Sequence, residues 1–130
     1  MMDYRIESDR RYTATHEWVK LDGPLAVMGV TDFAQHQLSD LVFVDLPSAG
    51  EPVEKGASLL TLESVKAVSD VFAPISGTIA EVNDALSEHP ELVNADPYGE
   101  GWLVKLSPRD RAEADNLMDA DAYARWLEAV

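Results

Sequence analysis

Apolar residues recur along this chain in short bursts cut by turn formers, a pattern of strands with few helices. Glu17 to Leu21 and Leu25 to Val30 are two such bursts split by Asp22-Gly23-Pro24, which predicts an antiparallel pair. Thr31 and Asp32 are helix-capping residue types, and after them Phe33 and Gln37, then Ala34 and Leu38, stand one turn apart. A short helix near 32–39 follows. Leu41 to Leu46 reads as a strand stopped by Pro47. Gly50, Pro52, Gly56, Pro74 and Gly77 then punctuate strand-like segments at Ser58 to Ser64, Ala67 to Phe72 and Thr78 to Val82, as in a sandwich or barrel. Within the first of these, Leu60 and Leu62 share one face while Thr61 and Glu63 take the other, so one face is buried and one wet. Asn83 to Gly101 is broken by Pro90, Pro97, Gly99 and Gly101 and reads as a structured loop with one helical turn. Trp102 to Leu106 returns as a strand, and Tyr123, Trp126, Leu127 and Val130 recur at i, i+3, i+4 and i+7, the stripe of a C-terminal helix.

Composition narrows what such a fold does. With 130 residues the chain suits one domain, and with no cysteine it has no disulfide and no thiolate chemistry of its own. Twenty-four acids against ten lysines and arginines give a formal charge of -14, which argues against nucleic acid and anionic membranes as partners. The opening MMDYRIESDRR has no apolar run, and no segment approaches a membrane span, so the expectation is a cytoplasmic protein with a polar leader at 1–11 and one domain at 12–130. Three scattered histidines and a HEWVK that lacks the second histidine of HExxH predict no metal site. No GxSxG, GxGxxG or Walker-type loop is present.

One lysine stands apart. Lys66, in Val65-Lys66-Ala67, is the sole lysine or arginine between Lys55 and Lys105, and it lies between two strand-like stretches. Taken alone, a lone strand-end lysine reads as one that keeps a sheet edge soluble; at a hairpin apex its ammonium would also be open to a modifying enzyme, and its four-carbon stem would suit a tether. Local propensity alone favours a reversal at Pro74 to Gly77, since neither Val65 nor Lys66 suits a two-residue hairpin; a type I turn is the form these residues admit.

The order HEWVK, MGVTDFAQHQLSDLVFVDLP, ESVKAVSD, APISGTIAEVN and ELVNADPYGEGWL resembles the H protein of the glycine cleavage system from about Tyr12 onward. The resemblance implies a mainly β, barrel-sandwich hybrid of the lipoyl type, with two small antiparallel sheets. It implies a hairpin at Lys66, with lipoic acid in amide linkage on that lysine and Glu63, Val65 and Ala67 around it. It also implies a carrier without catalysis of its own, shuttling an aminomethyl group from a pyridoxal-phosphate glycine decarboxylase to an aminomethyltransferase, with dihydrolipoyl dehydrogenase reoxidising the arm. A lipoate ligase or a lipoyl/octanoyl transferase installs the arm. Glu17 and Asp70 are implied as acidic partners of the aminomethyl group in a cleft, and Thr15, Val30 and Thr31 as its walls; without the resemblance Glu17 reads as an exposed strand residue. An alternative use of the same Lys66 is relay of lipoyl or octanoyl groups to other lipoyl domains. Two residues depart from the family pattern: Ser39 stands where glycine is common, and His36 where an acid is common.

Overall fold

The computed structural model describes residues 4–129. Nine strands, β1 (Arg11–Tyr12), β2 (Glu17–Asp22), β3 (Leu25–Val30), β4 (Leu41–Asp45), β5 (Pro52–Val53), β6 (Ser58–Ser64), β7 (Val68–Phe72), β8 (Gly77–Val82) and β9 (Val104–Pro108), make two antiparallel sheets among the described residues. The larger has the order β1-β2-β3-β9-β8-β5 and the smaller β4-β6-β7. Helix α1 (Asp32–Leu38) joins them, α2 (Leu92–Ala95) sits between β8 and β9, and α3 (Ala120–Ala129) ends the chain. Short 3₁₀ turns cover Asp84–Ser87 and Arg111–Asn116.

Alternation explains why the sheets meet. Val44, Leu60, Leu62 and Val71 of the small sheet share one buried cluster with Val19, Met28, Ile79 and Leu106 of the large one. At about 25 cal/mol per Å² of apolar area, this joint burial is what holds the two sheets together. The β2–β3 pair turns through Gly23-Pro24, with Gly23 at φ +59, a conformation that glycine adopts without a Cβ clash. Gly77 is needed for a different reason: a Cβ there would lie 2.3 Å from the Ser107 carbonyl on the neighbouring strand.

Several boundaries move from expectation. The strand after Lys66 begins at Val68 instead of Ala67, and the last strand starts at Val104 instead of Trp102. Pro74 to Gly77 does not close a hairpin; β7 lies in the small sheet and β8 in the large one, so this stretch crosses between them. The 83–101 segment holds two short helical pieces where one was expected, because Leu86 and Val93 each turn into the core.

Ile6, in the polar leader, packs against a second cluster formed by Tyr12, Trp18, Tyr98 and Tyr123. The Arg10 guanidinium sits 4.5 Å from the Trp18 ring centre and donates to the Tyr98 carbonyl at 3.0 Å. The side of α3 carrying Tyr123 covers this cluster, with the Tyr123 ring stacked on Tyr12 at 4.6 Å. Trp126 of the predicted stripe stays over a third exposed, and Val130 lies outside the described residues. No described helix is long and apolar enough to cross a membrane.

Candidate functional site

β6 and β7 form a hairpin whose apex carries Lys66. Ser64 builds that apex. Its hydroxyl accepts from the backbone N–H groups of Lys66 (3.1 Å) and Ala67 (3.0 Å), while the Ser64 N–H donates to the Ala67 carbonyl at 2.8 Å. The side chain thus takes the place of the usual backbone acceptor, so the turn needs no glycine. No residue of the apex has a positive φ, as a type I turn requires. From the side, the Val65 N–H donates to the Asp40 carbonyl at 3.0 Å and pins the apex to the chain entering β4.

Lys66 is exposed, and its ammonium leans on the last turn of α1, 3.5 Å from the Gln37 carbonyl. A cation is favoured there by the unpaired carbonyls of a helix C-terminus, although at this distance and exposure the contact is weak.

Beside that contact a cleft of about 160 Å³ opens between α1, β7 and the start of β2. Thr15, Glu17, Val30 and Asp70 all line it, so four of the residues implied for the arm come together. Thr31 does not line it. Its side chain is fully buried as the N-cap of α1, accepting from the Ala34 N–H at 3.2 Å and bonding the Tyr123 hydroxyl at 2.7 Å. Glu63 does not line it either; it is exposed and pairs with Val68 across the hairpin ladder.

Glu17 is the buried acid of the cleft, only 2% exposed. Its neighbours bond it closely: the hydroxyls of Thr13 and Thr15 donate to Oε1 at 2.5 and 2.6 Å, and the Phe72 N–H donates to Oε2 at 3.2 Å. Burial pushes the Glu17 pKa up, and these donors pull it part of the way back. A carboxylate has about four acceptor positions, so one on Oε2 stays open. Asp70 is different: it is exposed, pairs with Thr61 across the ladder, and accepts from the Ser58 hydroxyl at 3.0 Å. It marks the rim of the cleft, not its floor.

The family decides what such a lysine belongs to. A family model described as Glycine cleavage H-protein matches residues 10–130. The chain belongs to the glycine cleavage H-protein family. Among its relatives, the glycine cleavage system H protein of Bacteroides thetaiotaomicron is 54% identical over 113 residues, covering 87% of this chain and 90% of the relative. That of a Thermus thermophilus strain is 52% identical over 124 residues, covering 95% and 97%. The crystal structure of a glycine cleavage system H protein from Mycobacterium marinum superposes with a TM-score of 0.87 at 41% identity, covering 96% of this chain and all of that one.

Three residues of this H-protein site escape a reading of the sequence. Ser64 gives a signal only in retrospect, as a serine preceding a glycine-free reversal. His16 lines the cleft, packs its ring 4.5 Å from Phe33, and shares a 2.9 Å hydrogen bond between Nδ1 and the Tyr123 hydroxyl. Burial pushes its pKa down, which keeps it neutral at pH 7. Tyr123 in turn joins His16 to the cap of α1, a contact 92 residues distant in sequence that no local pattern reveals.

Proposed function

We propose that this H-protein is the lipoyl-bearing carrier of glycine cleavage, with lipoic acid in amide linkage on Lys66 and the aminomethyl group of glycine as its cargo. Its partners are then a pyridoxal-phosphate glycine decarboxylase, an aminomethyltransferase and dihydrolipoyl dehydrogenase, and a lipoate ligase or lipoyl/octanoyl transferase acts before them. The observation that carries this reading is an isolated, exposed lysine on a hydrogen-bonded apex beside a cleft that holds a buried carboxylate.

The residues suit such an arm. Val30, Phe33, Leu38 and Leu62 give the cleft apolar walls that hold water away from an acyl chain, and Glu17 gives it one polar end. When attached, a lipoyl group supplies a dithiolane that accepts an aminated carbon and is reduced in the exchange. Glu17 offers its open Oε2 position to the cargo's amine, whose charge would be costly to bury without an acidic partner. Asp70 adds negative charge at the entrance, and Thr15 and Thr13 hold the Glu17 carboxylate in place. The chain delivers and shelters its cargo, while the bond breaking belongs to the partners and their cofactors.

Intact mass and peptide mapping after expression with lipoate and a competent ligase test the reading. The expected result is one lipoyl increment, on Lys66. Lys66→Arg should abolish glycine decarboxylation and exchange while leaving stability within about 0.5 kcal/mol, as for an exposed residue. Wild-type glycine cleavage by that variant would refute the assignment.

A further inference from the structure

Among the described histidines His16 alone lines the cleft, and its place there is strained. Its φ is 71, a left-handed conformation that carries a cost for a residue with a Cβ. The backbone holds it from both sides: its N–H donates to the Thr13 carbonyl at 3.1 Å, and its carbonyl accepts from the Thr31 N–H at 3.0 Å. A chain of hydroxyls then fixes the ring, and the direction of that chain follows from who can donate. Thr31 is fully buried, and its Oγ1 has two partners, the Ala34 N–H, from which it accepts, and the Tyr123 hydroxyl. Its proton therefore goes to the Tyr123 oxygen, 2.7 Å away. The Tyr123 hydroxyl, buried as well, is left with His16 Nδ1 as the acceptor for its own proton, at 2.9 Å. Nδ1 is thus an acceptor, and the proton of the neutral ring sits on Nε2. A further proton on Nδ1 would leave the Tyr123 proton with no acceptor. Nε2 has no hydrogen-bond partner among the described residues, and no buried side-chain nitrogen or oxygen among them lacks one, so Nε2–H is an accessible donor on a ring that lines the cleft.

We propose that His16 holds the free sulfur of the loaded arm, as a fixed Nε2–H donor, and that Tyr123 is the residue that positions it. The inference rests on the reading of Lys66 as the lipoyl attachment point and deepens it. The order of groups along α1 carries the argument. The Lys66 ammonium lies against Gln37 in the last turn of the helix, while the His16 ring packs 4.5 Å from Phe33, one turn earlier and about 6 Å along the axis. His16 and its neighbour Glu17 therefore stand at the end of the cleft away from the attachment point, where an arm running along α1 brings its sulfurs and not its amide. Two polar groups reach that end when the arm is loaded, the cargo's amine and the sulfur set free as the dithiolane opens. An ammonium only donates, so it takes the carboxylate of Glu17. The sulfur accepts, weakly as a thiol and strongly as a thiolate, so it takes an N–H or O–H. The Thr15 hydroxyl cannot serve, because its proton is already given to Glu17 Oε1 at 2.6 Å. A cationic donor beside Glu17 would pair with that carboxylate and compete with the cargo. The His16 ring, kept neutral by burial and with Nδ1 occupied by Tyr123, does not.

The test is nitrogen NMR of the His16 ring in the lipoylated protein, first with the arm oxidised and then with it loaded by glycine and the decarboxylase. The proton should sit on Nε2 in both states, and the Nε2–H resonance should shift once the arm is loaded. Lys66→Arg protein in the same mixture should show the same tautomer and no shift. Cargo retention in the isolated loaded protein gives a second readout, followed as hydrolysis of the cargo to thiol, ammonia and formaldehyde. His16→Asn tolerates the positive φ but ends short of the Nε2 position, and it should release formaldehyde about three- to tenfold faster; His16→Gln, whose amide nitrogen reaches that position, should restore much of the hold. Tyr123→Phe keeps the ring stack on Tyr12 and leaves Nδ1 without its donor, so both tautomers should appear and retention should fall between wild type and His16→Asn. A purely structural His16 would not respond to loading. An Nδ1–H tautomer in the wild type, an Nε2–H resonance indifferent to loading, or wild-type retention by His16→Asn would each overturn the proposal. A protein that never takes up a lipoyl group would remove the reading of Lys66 and the proposal with it, an outcome told apart by mass before any spectrum is taken.

Discussion

Glu17 combines two opposed influences in one side chain. Burial favours its neutral form, and three donors favour its charged form, with burial the stronger. The folded-state pKa is therefore raised, so the folded protein binds this proton more tightly than the unfolded chain. The stability this contributes is complete below the ordinary value of 4.5 and is lost as pH rises through the raised pKa. Unfolding free energy of wild type minus that of Glu17→Gln should accordingly fall as pH increases from about 4.5, since the other acids cancel in the difference. A flat difference in urea titrations would show that Glu17 titrates alike in both states. Ser64 supports a second prediction. Ser64→Ala removes the acceptor for two apex N–H groups, and because those groups can turn to water the cost should be about 1 kcal/mol. Hydrogen exchange at Lys66 and Ala67 should rise in the same variant.

The end of α1 shows how an element records a residue choice. Ser39 closes that helix at φ 68 and ψ -157, a region that belongs to glycine, and it holds there by donating its N–H to the Gln35 carbonyl and accepting from Asn94. The departure from the family's glycine thus carries a backbone cost, and Ser39→Gly should stabilise the protein by about 1 kcal/mol in denaturant unfolding. The helix itself was legible in the sequence, because Thr31 is a capping residue and the Phe33 to Leu38 stacking repeats at one turn. Paired strands such as β2 and β3 were legible through alternation and Gly23-Pro24. The hairpin at Lys66 was not legible from propensity: Val65 and Lys66 are poor turn residues, and the Ser64 hydroxyl that replaces a glycine works through hydrogen bonds a pattern does not display. Only the family resemblance placed it. The same limit applies to the two-residue strands β1 and β5, too short for any alternation, and to Thr31, whose hydroxyl is used by a helix cap and by Tyr123 where a cleft wall was implied.

Across the whole molecule, a formal charge of -14 on 130 residues sets folding against self-repulsion. Raising ionic strength from about 0.01 M to about 1 M shortens the screening length from about 30 Å to about 3 Å and should raise the melting temperature. A melting temperature that stays flat or falls would mean that local pairs such as Arg109 with Glu54 matter more than the net charge. The clamp at the far end of the chain operates on this scale too. Tyr12 pairs with Met118 by backbone hydrogen bonds in both directions, and Tyr123 reaches from α3 to His16 and Thr31. Tyr12 and α3 are thereby fastened together behind the His16 wall of the cleft. A ribosome releases the sequence from its beginning, so Glu17 and Lys66 leave the exit tunnel long before Tyr123 does. The nascent chain consequently has its attachment lysine well ahead of its finished shelter, which is complete only once α3 has followed.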